Sequence, residues 1–320
     1  MTRPSARRPR LLIDTDIFSD VDDVGALAVA HALADEGAAE IAAVLVNTPS
    51  RWGHRAVQVL NAYYGRAAIP VGALLPLDDS VSERDYARYL AEVFSDGVGI
   101  DPPDEAVRVA RRCLAVADDA SIVVVSLGFF QNLVALLDSP ADDISPRSGR
   151  DLVTAKVARA VVMGGLFPAG WEFNVGEYPA VAARFCDSWP GEIEFLGWEV
   201  GAGVITGAEL SREDDPTNPV SLAYRAFSGP GVGRDSWDPM TVLLAVQGVS
   251  DDYDYSVPGT VSVGADGATR FRESTSGRHR YVKLLSRAAD LASRLDRYLA
   301  MAPAARRDLA PTTRESGSPA

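Results

Sequence analysis

Five aspartates fall within ten residues near the start of the chain: Asp14, Asp16, Asp20, Asp22 and Asp23, in the stretch LLIDTDIFSDVDDVGA. Carboxylates this crowded raise one another's pKa, and burial adds to the cost. Either the segment splays into water or a cation gathers it. Oxygen donors select a hard divalent ion, with Ca²⁺ or Mg²⁺ the first choices. A plainer role is an acidic helix start that satisfies free backbone N–H groups. That would engage one or two of the five, Asp20 or Asp22 among them, and leave the rest unexplained.

Something must hold these groups in place. Leu11 to Ile13 is a short apolar run that suits a buried strand, and from Val24 the sequence turns to good helix formers. Further apolar runs at Ile41–Val46, Ile122–Val125, Ala160–Met163 and Ile193–Leu196 read as strands. Helical patterns intervene at Val24–Asp35, Ala56–Tyr64, Pro103–Ala117, Leu133–Leu137 and Pro179–Ser188. This alternation predicts an α/β fold, a single domain with a mostly parallel open sheet flanked by helices and a Rossmann-like core. Sites in such folds gather beyond the carboxyl ends of strands. The polar residues that stand out do follow strands: the Asp cluster, Asn47-Thr48, Ser126-Leu127-Gly128, then Gly164-Gly165 and Glu172-Phe173-Asn174.

The chain has 320 residues, 47% of them hydrophobic, so a large core is available. Its net charge of −13 argues against a nucleic-acid or anionic-membrane surface. Cys113 and Cys186 are far apart and are expected as buried free thiols. With no secretory apolar segment at its basic start and no run of membrane-spanning length, a soluble cytoplasmic protein is the default expectation. Residues 1–10 read as a flexible basic start, 11–302 as the domain and 303–320 as a disordered tail. Leu75–Arg84 has the polarity of an active-site lid, Ser139–Arg150 reads as a solvated excursion, and Val257–Arg270 as a late hairpin. Ser286–Met301 should be a closing amphipathic helix.

Four ordered blocks, DTDIFSDVDD, SLGFFQN, EFN after VMGG, and SWDPMTVLLAV, resemble the inosine-uridine-preferring nucleoside hydrolases from about Leu11 to Leu299. The family opens on DxDPGxDD, which holds one Ca²⁺ ion and activates a water. Asp14, Asp16, Asp22 and Asp23 match it, although IFSDV stands here in place of the family's shorter PGx, and Asp20 has no counterpart. The resemblance implies Asp16 as metal ligand and general base, Asp23 and Asp238 as further ligands, and Asp22 on the ribose hydroxyls. It also implies a backbone carbonyl ligand at Gln131, ribose contacts from Glu172 and Asn174, and a further ribose contact from Asn47. The implied reaction is hydrolysis of the N-glycosidic bond of a small-molecule nucleoside by direct attack of water, and the implied assembly is a homodimer or homotetramer.

The largest departure is Trp237, which stands where the family commonly has a His as candidate acid for the departing base. Trp237 suits either an aromatic platform for a base or a core position, but it cannot donate that proton. His54, Tyr178 and Asp235 are candidate replacements. His31 reads as packing or surface and His279, between two arginines, as surface. Arg51 and Trp52 fall in a loop that could border the pocket, Phe129 and Phe130 should pack behind Gln131, and Trp171 could wall the ligand. Gly164-Gly165 reads as a tight strand exit. Two other functions fit the same residues: a catalytically impaired nucleoside- or ribose-binding protein, or a metal-dependent phosphohydrolase, the latter disfavoured by the lack of a basic phosphate clamp.

Overall fold

The strand β1 (Arg10–Thr15) alternates its side chains between two cores: Leu11 and Ile13 face one side of the sheet and Leu12 the other. The computed structural model describes residues 8–94, 103–213 and 215–304. Residues 1–7 and 305–320, which make up most of the expected basic start and tail, lie outside the described residues.

Thirteen further strands follow: β2 (Glu40–Val46), β3 (Val71–Ala73), β4 (Asp104–Glu105), β5 (Ile122–Ser126), β6 (Val157–Met163), β7 (Ala169–Trp171) and β8 (Ile193–Leu196), then β9 (Ile205–Thr206), β10 (Arg234–Asp235), β11 (Tyr253–Tyr255), β12 (Gly259–Val263), β13 (Ala268–Glu273) and β14 (His279–Leu284). Twelve of the fourteen strands form one mixed, open sheet in the order β4-β3-β2-β1-β5-β6-β8-β14-β12-β13-β7, with β11 paired to β14. From β4 to β14 every neighbouring pair is parallel, and the hairpin β12–β13 and its partners are antiparallel. The strand order reverses direction at β1 and β5. Their carboxyl ends therefore bound a crevice of the kind that takes ligands in open α/β sheets.

Helices cover both faces. On the Leu11 side lie Asp22–Asp35, Arg51–Tyr63, Trp237–Gln247 and Ala288–Leu299; on the Leu12 side lie Ala106–Ala115, Gln131–Asp138, Gly149–Lys156 and Pro179–Ser188. Asp22–Asp35 and Trp237–Gln247 are buried almost all round and pack on each other. Among the described residues no helix is long and apolar enough to cross a membrane. Both cysteines are buried and unpaired.

Several expectations need correction. The second helix begins at Arg51, capped by the Ser50 hydroxyl, so Arg51 and Trp52 belong to its first turn and not to a loop. His279 is buried at the start of β14 while its neighbours Arg278 and Arg280 are exposed, and its Nδ1 accepts the Val261 N–H at 2.9 Å. Ser139–Arg150 is not merely solvated. Its backbone and side chains are gathered around the buried Arg111 guanidinium, which reaches Asp142 at 2.7 Å, Ser139 Oγ at 2.8 Å and the Arg147 carbonyl at 3.0 Å. His31 is packing, stacked on Tyr64 with ring centroids 4.5 Å apart.

Candidate active site

The turn after β1 carries the chain past Asp16 into the buried helix Asp22–Asp35, which places Asp22 and Asp23 in its first turn. The residue at the cap position is Val21, and no side chain caps this helix, so neither Asp20 nor Asp22 plays that part. Asp22 reaches across instead: its Oδ2 accepts the Asp238 N–H at 3.1 Å, at the start of Trp237–Gln247. Two helix N-termini thus point at one cluster of carboxylates, where their dipoles favour negative charge. The Thr15 hydroxyl donates to Asp23 Oδ1 and fixes that carboxylate.

Carboxylate oxygens of Asp16, Asp23 and Asp238 lie within 4.8 Å of one another. Oxygen ligands at about 2.3–2.6 Å from a Ca²⁺ ion can stand up to about 5 Å apart across it, so the three fit a single hard cation. The electrostatics point the same way. Burial pushes Asp14 up to about 7 against help from Asn132 and Asn47. Burial, and the charges of Asp20, Glu172 and Asp14, push Asp16 up to about 8. Burial and mutual repulsion raise Asp22, Asp23 and Asp238 well above the ordinary carboxylate range. These groups ionise together only if positive charge joins them.

The cluster forms one end of a cavity of about 310 Å³, a size that suits a small molecule. Asp16, Ser19, Asp20, Asp22, Asp23 and Asp238 line it together with Leu127 and Met163 from the ends of β5 and β6, Glu172, Phe173 and Asn174, and the group Trp198, Arg234 and Trp237. Asn174 Nδ2 donates to the Leu127 carbonyl at 2.8 Å. Glu172 caps the short helix Phe173–Gly176: Oε1 accepts the Asn174 N–H at 2.8 Å, and Oε2 accepts those of Gly165 at 2.9 Å and Val175 at 3.2 Å. Burial raises its pKa despite those bonds. Gly165, at φ 81°, makes the tight exit from β6.

Asp16, Asp22, Asp23, Glu172, Asn174, Trp237 and Asp238 therefore meet at one cavity. Two other residues singled out from the sequence do not line it. Gln131 opens the helix Gln131–Asp138 and is not among the residues of the lining, whereas Leu127, just beyond β5, is. The Asn47 amide bonds the Phe129 backbone, donating to its carbonyl at 2.9 Å and accepting its N–H at 3.3 Å, and also supports Asp14, so it ties the loop after β2 to the loop after β5. His54, Tyr178 and Asp235 also lie outside the lining, as do Trp171, Phe129 and Phe130. The segment Leu75–Arg84 contributes no wall and is pinned beside Pro49 and Arg51.

Arg234 and Trp198 carry no motif and were not legible in advance. Arg234 Nε bonds Asp20 Oδ1 at 3.0 Å, and its guanidinium lies 4.9 Å from the Trp237 ring centre. Trp237 Nε1 donates to the Trp198 carbonyl at 2.8 Å, and the two indoles stack at 6.4 Å. The lengthened Asp segment gains its meaning here: Asp20 anchors the arginine that braces the aromatic wall.

No protein-family model matches this chain, and no curated protein matches its sequence. Solved structures do. A plant nucleoside hydrolase superposes with a TM-score of 0.68 at 20% identity, over 91% of this chain and 99% of that one. The inosine-uridine preferring nucleoside hydrolase of Bacillus anthracis gives 0.66 at 17% identity, over 91% and 99%. The type III effector protein XopQ, in complex with adenosine diphosphate ribose, gives 0.63 at 16% identity, over 92% and 94%. The chain has the α/β fold of the nucleoside hydrolases across nearly its whole described length.

Proposed function

We propose that this chain hydrolyses the N-glycosidic bond of a ribonucleoside or related N-riboside, using Ca²⁺ held by Asp16, Asp23 and Asp238. The observation that carries this reading is the convergence of those three carboxylates at one end of an aromatic-walled cavity, on a fold shared with nucleoside hydrolases. A bound divalent cation supplies positive charge that acidifies water and anchors sugar hydroxyls.

The chain's own groups supply the rest. Asp16 is the least buried member of the triad and takes the proton of the attacking water. Positive charge builds at the anomeric carbon as the bond breaks, and the surrounding carboxylates stabilise it. Asp22 commits Oδ2 to the Asp238 N–H and offers Oδ1 to a ribose hydroxyl. Asn174, with Nδ2 engaged, offers Oδ1. Glu172 acts by positioning, since its oxygens are held by backbone N–H groups of the segment that presents Asn174. Water attacks directly and the sugar is released with inversion. The proposal includes a cytoplasmic homodimer or homotetramer.

The test is release of reducing sugar from ribonucleosides and p-nitrophenyl riboside, with Ca²⁺ and with a chelator. Chelation, Asp16→Ala and Asp23→Ala should each lower the rate by at least about 100-fold. Full activity in either variant would overturn the assignment. One observation favours a second reading, a binding protein on the same scaffold: Trp237 fills the place of the expected acid. That reading predicts Ca²⁺-dependent ligand binding with no turnover.

A further inference from the structure

Building on the hydrolase reading, we infer that the preferred substrate is an N-riboside whose base already carries a positive charge, a pyridinium-type riboside. Three independent features of the cavity converge on it.

The first is charge. Six carboxylates line the cavity, those of Asp16, Asp20, Asp22, Asp23, Glu172 and Asp238, against the single guanidinium of Arg234. That guanidinium is itself spent on Asp20 and on the Trp237 face. A divalent cation leaves the wall still net negative, which suits a cationic ligand and repels an anionic one.

The second is the aromatic wall. Trp198 and Phe173 line the cavity while each remains 47% exposed, and Trp237 stands beside Trp198. Exposed aromatic faces accept a flat ring, and a cationic ring gains the additional attraction of the indole quadrupole.

The third is the proton inventory. Among the described residues no His, Lys, Tyr or Cys lines the cavity, and the Trp237 N–H is committed to the Trp198 carbonyl. With a cation bound, the aspartates gathered on it are ionised, and Glu172 accepts three backbone N–H bonds as a carboxylate, so none of them has a proton to give. A neutral purine or pyrimidine leaves as an anion unless it is protonated, and that assistance is worth about 10²–10⁴ in rate. A pyridinium needs none. Water adds its oxygen to the anomeric carbon as the C–N bond breaks, the bonding pair returns to the ring nitrogen, and the base departs neutral. The proton lost by water goes to Asp16 and then to solvent.

The experiment compares nicotinamide riboside with inosine, uridine and p-nitrophenyl riboside on the full chain in Ca²⁺. We expect nicotinamide riboside to exceed inosine and uridine in kcat/KM by about 100-fold or more, with p-nitrophenyl riboside also cleaved. If p-nitrophenyl riboside is cleaved while nicotinamide riboside is not, or if inosine equals it, the substrate class is wrong and the hydrolase reading stands. Silence on all four overturns both. Recognition of charge is read separately by competition between 1-methylnicotinamide, methylated on the ring nitrogen and so a cation, and neutral nicotinamide. The cation should bind about tenfold more tightly; Trp198→Ala should erase the difference and Trp198→Phe keep it. Equal or absent binding of the two overturns the inference.

Discussion

Asp16 reaches the cavity because residue 128 has no side chain. A Cβ at Gly128 would lie 2.5 Å from Cβ, Cγ and Oδ1 of Asp16, too close for any of them to remain. The aspartate is short, so it cannot retreat without leaving the triad. Gly128→Ala should therefore weaken Ca²⁺ binding by about tenfold or more, the effect of roughly 1.4 kcal/mol, while the fold survives. Calorimetric titration with Ca²⁺ checks this, and an unchanged affinity would show that the carboxylate has room to shift. The Asp cluster was legible in the sequence because its members are near neighbours in the chain and their chemistry requires a partner. Gln131 and Asn47 show what a motif leaves out: it records which residue is present, not which way its polar atoms face. Asn47 bonds the Phe129 backbone, and Leu127, the residue beyond β5 that lines the cavity, is four residues before Gln131. Arg234 could not be read at all. Its partner Asp20 is 214 residues away, and nothing local marks either as half of a pair.

Two buried helices meet at the site, and one hydrogen bond joins their starts. Asp22 accepts the N–H of Asp238, yet its charge sits among other carboxylates that raise its pKa after burial has done so first. Asparagine keeps the acceptor and removes the charge. Asp22→Asn should raise the melting temperature in chelator and lower kcat/KM at least about tenfold, because a site tuned for function is strained in stability. A fall in both would mean that the charge is not a burden in the folded chain. Away from the site, Arg111 organises the Ser139–Arg150 segment through bonds that no periodicity announces. Arg111→Met would leave the Ser145 and Arg147 carbonyls without this donor and should cost at least about 2 kcal/mol, read as a lower urea midpoint with unchanged slope. The central strands and their flanking helices were legible because apolar runs and helical spacing report burial directly. The misplaced starts, such as Arg51 for Ala56, occur where a cap lies among polar residues that carry no periodic signal. The strand β14 went unread because its residues HRYVKL form neither a continuous apolar run nor a strict alternation, with Arg280 and Lys283 exposed between buried and half-buried neighbours.

At the scale of the molecule, the sheet reverses its strand order at β1 and β5 and so concentrates buried negative charge at one point. That concentration makes stability depend on pH in a direction that can be worked out. Asp16 has an ordinary value of 3.8 in the unfolded chain and is pushed up to about 8 by burial, so the folded chain keeps a proton that the unfolded chain has released. Stability in chelator therefore falls as pH rises from about 4 towards 8, at no more than about 1.4 kcal/mol per unit for each such group. His31, His54 and His279 act in the opposite sense, since burial lowers their values and stability is lost as pH falls below 6.5. They lie outside the cavity, so their contribution is common to the two states with and without Ca²⁺ and cancels in the difference. The difference is the informative quantity. Ca²⁺ binds ionised carboxylates and must displace the protons that the apo site retains. The rise in melting temperature on adding Ca²⁺ should be close to nothing at pH 5 and several degrees at pH 8, where a hundredfold excess over Kd contributes about 2.7 kcal/mol. Paired melting curves across that range measure it. An increment that stayed constant with pH would mean that the cluster is already ionised without a cation, and that the acidic pocket is held together by something other than the charge it was built to receive.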